Sequence, residues 1–137
     1  MLAIRGAISV PDNTRHDILA AAGELLGEMQ QANGLAPAEL VAVLFTLTPD
    51  LNAAFPAEAA RNLGWNSVGL MCMQEVAVPG ALPRVLRVMM LVERPKLAHP
   101  VHVYRGDARR LRPDLTGGER AAEGAEPPAG GLRKNTT

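Results

Sequence analysis

Leu2, Ile4, Ile8 and Val10 alternate with Ala3, Arg5, Ala7 and Ser9 at the start of the chain. A period of two predicts a strand with one apolar face, its other face small except for Arg5. In "DNTRHDILAAAGELLGEMQQANG" the period changes, and Ile18, Ala22, Leu25, Leu26 and Met29 recur at helical spacing. An amphipathic helix follows, capped by Asn13 or Thr14 and ended at Asn33-Gly34. From Pro37 a helical turn leads into a buried strand over residues 41–48, stopped by Pro49-Asp50. Pro56 at a first helical position and Gly64 as terminator frame a second helix in "FPAEAARNLGW". "SVGLMCM" and "RVLRVMMLV" are two further strands parted by the turn region "VPGALP", "HPVHVYRG" is a fifth, and "ARRLRPDL" is a short terminal element. Strands interleaved with two helices predict a mixed sheet packed by helices on one face, an α+β fold.

The stretch "MCMQEVAVPGALPRVLRVMMLV" holds two residues that break this pattern. Glu75 sits at the edge of one apolar run and Arg87 inside the next. Alternation puts Arg87 beside Val85 and Met89 while Leu86, Val88, Met90 and Val92 point the other way. With both faces apolar, Arg87 is expected to be buried, and a buried guanidinium needs an anionic partner. That partner is either Glu75, in a plain structural ion pair, or a ligand. Arg5, Tyr104 on the His102 face of "PVHVY", and Arg112 in "LRPDL" add donors that one carboxylate does not balance. A small dianion suits that surplus.

Composition narrows the field. The chain has 137 residues, 47% of them hydrophobic but only 3% aromatic, so the core is built from Ala, Val, Leu, Ile and Met. This length fits one domain, here residues 1–115. From Thr116 onward, "TGGERAAEGAEPPAGGLRKNTT" is rich in Gly, Pro and charge with one large apolar residue, too little to offset its ordering entropy. Residues 116–137 are expected to be a flexible tail.

Fourteen basic residues balance fourteen acidic ones. No basic stripe marks a nucleic-acid surface, so no nucleic acid is expected as a partner. One cysteine forms no internal disulfide and fits a reducing compartment. No run approaches the roughly 18 apolar residues of a membrane span, and a cytoplasmic protein without membrane contact is expected.

Other chemistries are weaker. His16, His99 and His102 lack metal-ligand spacing, so no metal is expected. Ser9 and Ser67 have no nearby base. Cys72 is a more serious nucleophile, although a free cysteine is commonly a small buried hydrophobe. Met71, Met73, Met89 and Met90 read as core.

"IRGA", "TPDL" with "AFPAEAAR", "CMQE", "RVMM", "HVY" and "LRPDL", in that order, resemble the AroH-type chorismate mutases from about Leu2 to Leu115. The resemblance implies a homotrimer whose mixed sheets pack into a pseudo-α/β-barrel with helices outside and active sites in clefts between subunits. It also implies conversion of chorismate to prephenate, on the way to phenylalanine and tyrosine, without cofactor or metal. Position by position, Arg87 would donate to the ether oxygen and Glu75 would accept from the ring hydroxyl. Arg5 and Tyr104 would hold the side-chain carboxylate, and Cys72 and Met73 would meet the ring end. Phe55, Ala57 and Leu111 would form the apolar wall, while Arg61 and Arg112 would draw the dianion in. Glu58 stands where the best-known pattern has Lys, and Met71 where it has Thr, which leaves the charge at the mouth open. An imine or enamine deaminase of a related trimeric barrel fold and a non-catalytic binding module for a small dianion are the competing readings.

Overall fold

The computed structural model describes residues 1–94 and 99–116. Five strands form one sheet: β1 (Leu2–Ser9), β2 (Leu40–Leu47), β3 (Gly69–Gln74), β4 (Val85–Val92) and β5 (Val103–Arg105), in the spatial order β3-β2-β4-β1-β5. The sheet is mixed. β4 runs antiparallel to both β1 and β2, whereas β1 with β5 and β2 with β3 are parallel pairs. Three helices accompany it, α1 (Arg15–Asn33), α2 (Ala57–Asn62) and α3 (Pro113–Thr116), with single 3-10 turns at Pro37–Glu39 and Gly106–Arg110. The tail expected from Thr116 lies, apart from Thr116 itself, outside the described residues.

Of the two candidate caps for α1, the chain uses Thr14, whose side chain accepts from the Asp17 N–H at 3.0 Å. Asn13 does other work: its Oδ1 accepts from the Asn52 and Ala53 N–H groups and pins the loop that leads to α2. At the far end Gly34 takes a left-handed conformation, φ +58°, and closes the helix with its N–H, a geometry that a residue with a Cβ resists.

Along α1, Ile18, Ala22, Leu25, Leu26 and Met29 are fully buried. They lie on the sheet face that carries Ile4, Ile8, Val43, Phe45, Val88 and Met90. Each large side chain buried there contributes on the order of 1.5–3 kcal/mol relative to exposure. Gly6 permits the close approach: a Cβ at that position would stand 2.5 Å from Met29 Sδ and 3.2 Å from Leu25 Cδ1.

Among the described residues the opposite face of the sheet is covered only at one end. Ala7, Val85, Tyr104 and Ala108 form a small second cluster there, with Leu82, Leu111 and Leu115 against it. Beyond this patch Met71, Met73, Arg87 and Met89 are exposed. The expectation that Arg87 is buried is therefore corrected in this chain: its strand face is apolar but uncovered. Met71, Met73 and Met89 share that open face instead of the core.

The fifth strand is shorter than the alternation of residues 99–106 suggests. Before Val103, Asn33 takes up the backbone of Val101, accepting from its N–H at 2.7 Å and donating to its carbonyl at 2.9 Å. After Arg105, Gly106 turns left-handed at φ +62° and the 3-10 turn begins. Among the described residues no helix is long and apolar enough to cross a membrane.

Candidate active site

Strand register assembles the site from distant segments. Residues paired across neighbouring strands point to the same side. One row therefore runs Met73, Thr46, Arg87, Ala7, Tyr104 from β3 to β5, and the adjacent row on the same face runs Met71, Leu44, Met89, Arg5. Both rows lie on the open face. Between them is a cleft of about 230 Å³ lined by Arg5, Thr46, Met73, Arg87, Met89 and Tyr104 among others.

The acid of the site arrives one residue past β3. Glu75 donates its N–H to the Leu47 carbonyl at 2.8 Å, which continues the ladder and keeps its side chain on the Met73 face. Its Oε2 accepts from the Thr46 hydroxyl at 2.6 Å and lies 2.9 Å from Arg87 Nε. The Glu75 side chain is 17% exposed and that of Arg87 49%. Glu75, itself anchored by Thr46, thus meets the guanidinium at its inner edge. Among the described residues its terminal nitrogens make no hydrogen bond or salt bridge, and neither does the guanidinium of Arg5, whose charge acts at longer range on Asp114 and His102. Tyr104, only 6% exposed, makes no hydrogen bond through its hydroxyl there, although it is close enough to Arg112 for the two to interact electrostatically.

A second hollow, about 420 Å³, lies at the β3 edge and is lined by Phe55, Cys72, Met73, Gln74, Arg15 and Glu58 among others. Cys72 pairs with Phe45 and so points to the helix-covered face, opposite to Met73. Burial pushes its thiol up, against smaller opposing effects of the Ala57 backbone and the Arg61 charge. Phe55 is 73% exposed at the rim. Met73 borders both depressions.

This geometry coincides with a sequence match. The family described as chorismate mutase type I matches residues 1–115. The chain belongs to that family. A chorismate mutase AroH from Thermus thermophilus is 52% identical over 114 residues, covering 82% of this chain and 93% of the relative. A chorismate mutase AroH from Bacillus subtilis (strain 168) is 42% identical over 115 residues, covering 82% and 91%. Among solved structures, a chorismate mutase from Clostridium thermocellum is 47% identical, with a TM-score of 0.73 over 77% of this chain and 96% of that one.

In this type I chorismate mutase chain, the residues singled out from sequence fall into three groups. Arg5, Glu75, Arg87, Tyr104 and Met73 come together at the cleft. Phe55 and Cys72 gather at the hollow, where Ala57 is buried behind the surface and touches Cys72 through its backbone, and Arg61 lies exposed nearby. Leu111 and Arg112 line neither depression. Leu111 packs in the small cluster under Tyr104, and Arg112 is held by Asp114, with Nε to Oδ1 at 3.0 Å and Nη2 to Oδ2 at 2.7 Å.

Three contributors have no site role on the sequence alone. Thr46 anchors Glu75, Arg15 pairs with Glu58, and His102 accepts the Arg5 backbone N–H on Nδ1 at 3.0 Å. Alternation places Thr46 on one side of its strand. Only the β2 to β4 register puts it beside Arg87.

Proposed function

We propose that this chain rearranges chorismate to prephenate as a homotrimer, each active site formed between the cleft of one copy and the hollow of the next. The observation that carries the reading is the set of donors in the cleft: the Arg5 guanidinium, the outer edge of Arg87 and the Tyr104 hydroxyl, none of them taken by a hydrogen bond or salt bridge among the described residues. A small dianion with an ether oxygen satisfies all three.

The chemistry asks for nothing more. In a Claisen-type shift the ether C–O bond breaks as a C–C bond forms, and no proton changes hands. Negative charge grows on the enolpyruvyl oxygen and positive charge on the ring. Holding the flexible substrate in its compact chair-like form supplies one part of the acceleration, and fixed charges aimed at developing charge supply another. Arg87 is the donor to the ether oxygen. Glu75, whose Oε1 has no partner among the described residues, accepts from the ring hydroxyl and lies near the positive ring. Arg5 and Tyr104 grip the side-chain carboxylate.

The trimer rests on size and on exposed apolar surface. A cleft of about 230 Å³ is below the roughly 300–1,000 Å³ usual for small-molecule sites, and one of its sides is open. Phe55, Met71, Val76 and Val78, each more than half exposed, are the kind of surface that a neighbouring copy covers. A ring of three closes such a head-to-tail contact, and the open sheet faces then meet inside a pseudo-barrel. Residues 1–115 are the catalytic domain and residues 116–137 an appended tail.

The test is direct. Purified protein mixed with chorismate and no added metal or cofactor is expected to consume it with saturation kinetics and yield prephenate. A folded protein that leaves chorismate unchanged would overturn the reading, and release of ammonia from an amino-acid-derived imine would replace it.

A further inference from the structure

One cation at the hollow has no part in the site as drawn so far. Arg15, the first residue of α1, forms a two-pronged pair with Glu58 of α2: Nη1 donates to Oε1 at 2.8 Å and Nη2 to Oε2. The two residues are 43 apart in sequence, and both line the hollow beside Phe55 and Cys72. Their side chains are 60% and 30% exposed. An exposed pair of this kind adds little to stability, so its consequence lies in the field it makes.

That field can be counted. Arg61, which makes no hydrogen bond or salt bridge among the described residues, is close enough for its charge to act on both Glu58 and Cys72. Arg15, Glu58 and Arg61 sum to +1. Without Arg15 the sum is zero, and a bare carboxylate faces whatever enters. For an incoming dianion the loss of one positive charge counts twice.

We propose that Arg15 is an affinity-determining residue: by neutralising Glu58 it keeps the mouth of the hollow net positive toward small carboxylate anions. It acts on capture, while the rearrangement itself is left to the cleft. The inference rests on the reading that the hollow forms part of the substrate site, and its test has a readout that does not need turnover.

Cys72 is the chain's one cysteine and sits in the same hollow. Its alkylation by iodoacetate, an anion, relative to iodoacetamide, its neutral analogue, reports the local charge. Any change in the thiol itself affects both reagents and cancels in the ratio. Arg15→Ala should lower the ratio about two- to fivefold, the effect of one unit charge several ångströms away in a mostly aqueous setting. Glu58→Gln should raise it by a similar factor. The double variant, again summing to +1, should return to the wild-type ratio.

KM for chorismate should run in the reverse order, highest for Arg15→Ala and lowest for Glu58→Gln, with kcat changing less than about twofold, and about 0.5 M salt should flatten the series by screening. An Arg15→Ala ratio equal to wild type, or a KM for chorismate unchanged in Arg15→Ala, would overturn the proposal. The predicted order of ratios in a protein that does not turn over chorismate would uphold it and instead overturn the assignment of the substrate.

Discussion

At the scale of single residues, two guanidiniums on one sheet face are held in opposite ways. Arg87 is paired with Glu75, which Thr46 anchors, whereas among the described residues Arg5 is hydrogen-bonded to a side chain through its backbone alone, whose N–H is taken by His102. A donor held in advance spends no reorganisation when charge develops, and that is the role the proposed mechanism gives Arg87. Cys72 has the opposite character. Burial keeps its thiol protonated at neutral pH, and an unactivated thiol is a poor nucleophile. Cys72→Ser is therefore expected to keep kcat within about tenfold of wild type, a loss well short of removing a catalytic donor; complete inactivity in a folded variant would point to covalent chemistry. The sequence made the oddity of Arg87 and Glu75 visible but misjudged the burial of Arg87. Alternation tells which side of a strand a residue faces, and coverage of that side depends on other parts of the molecule. Glu58, which the sequence leaves as a stray acid, turns out to be half of a pair, because its partner is carried by a different helix.

At the scale of elements, the five strands and two longer helices were legible because each keeps its own period over several residues. Their ends were less so. β5 is cut to three residues by Asn33 on one side and Gly106 on the other, neither of which alternation can weigh. Just before that strand stands His102, quoted in a motif for the sake of Tyr104 yet itself the acceptor of the Arg5 backbone N–H. Burial first, then the charges of Arg5 and Arg112, hold the His102 imidazole below its ordinary value, with Asp114 opposing. The unfolded chain thus takes up a proton near pH 6.5 that the folded chain refuses until the pH is lower. The stability this group contributes is full above about pH 6.5 and lost as pH falls through the depressed folded value. The thermal midpoint is expected to drop between about pH 7.5 and 5.5, and His102→Asn, whose amide oxygen can still accept from Arg5, should flatten that slope. Equal slopes for the two proteins would remove His102 from the explanation.

For the molecule as a whole, the family was legible because short motifs scattered over the chain fall in one order, and the fold explains that order. "IRGA", "CMQE", "RVMM" and "HVY" are four strands whose register brings Arg5, Glu75, Arg87 and Tyr104 to one open face. What the sequence could not supply was the separation of cleft and hollow, since that depends on which face of the β3 edge each side chain takes. If neighbouring copies join cleft to hollow, Arg87→Ala and Arg61→Ala proteins, each impaired alone, should regain activity when unfolded and refolded together. Random assortment would restore about a quarter of the sites, and no recovery in mixed oligomers would place each site within one copy. The most direct test of the account is kcat for Arg87→Ala on chorismate, in protein whose fold and sedimentation match wild type. A fall of about a hundred- to a thousandfold or more is predicted for loss of the preorganised donor, while turnover close to wild type would contradict the role given to Arg87 and the mechanism built on it.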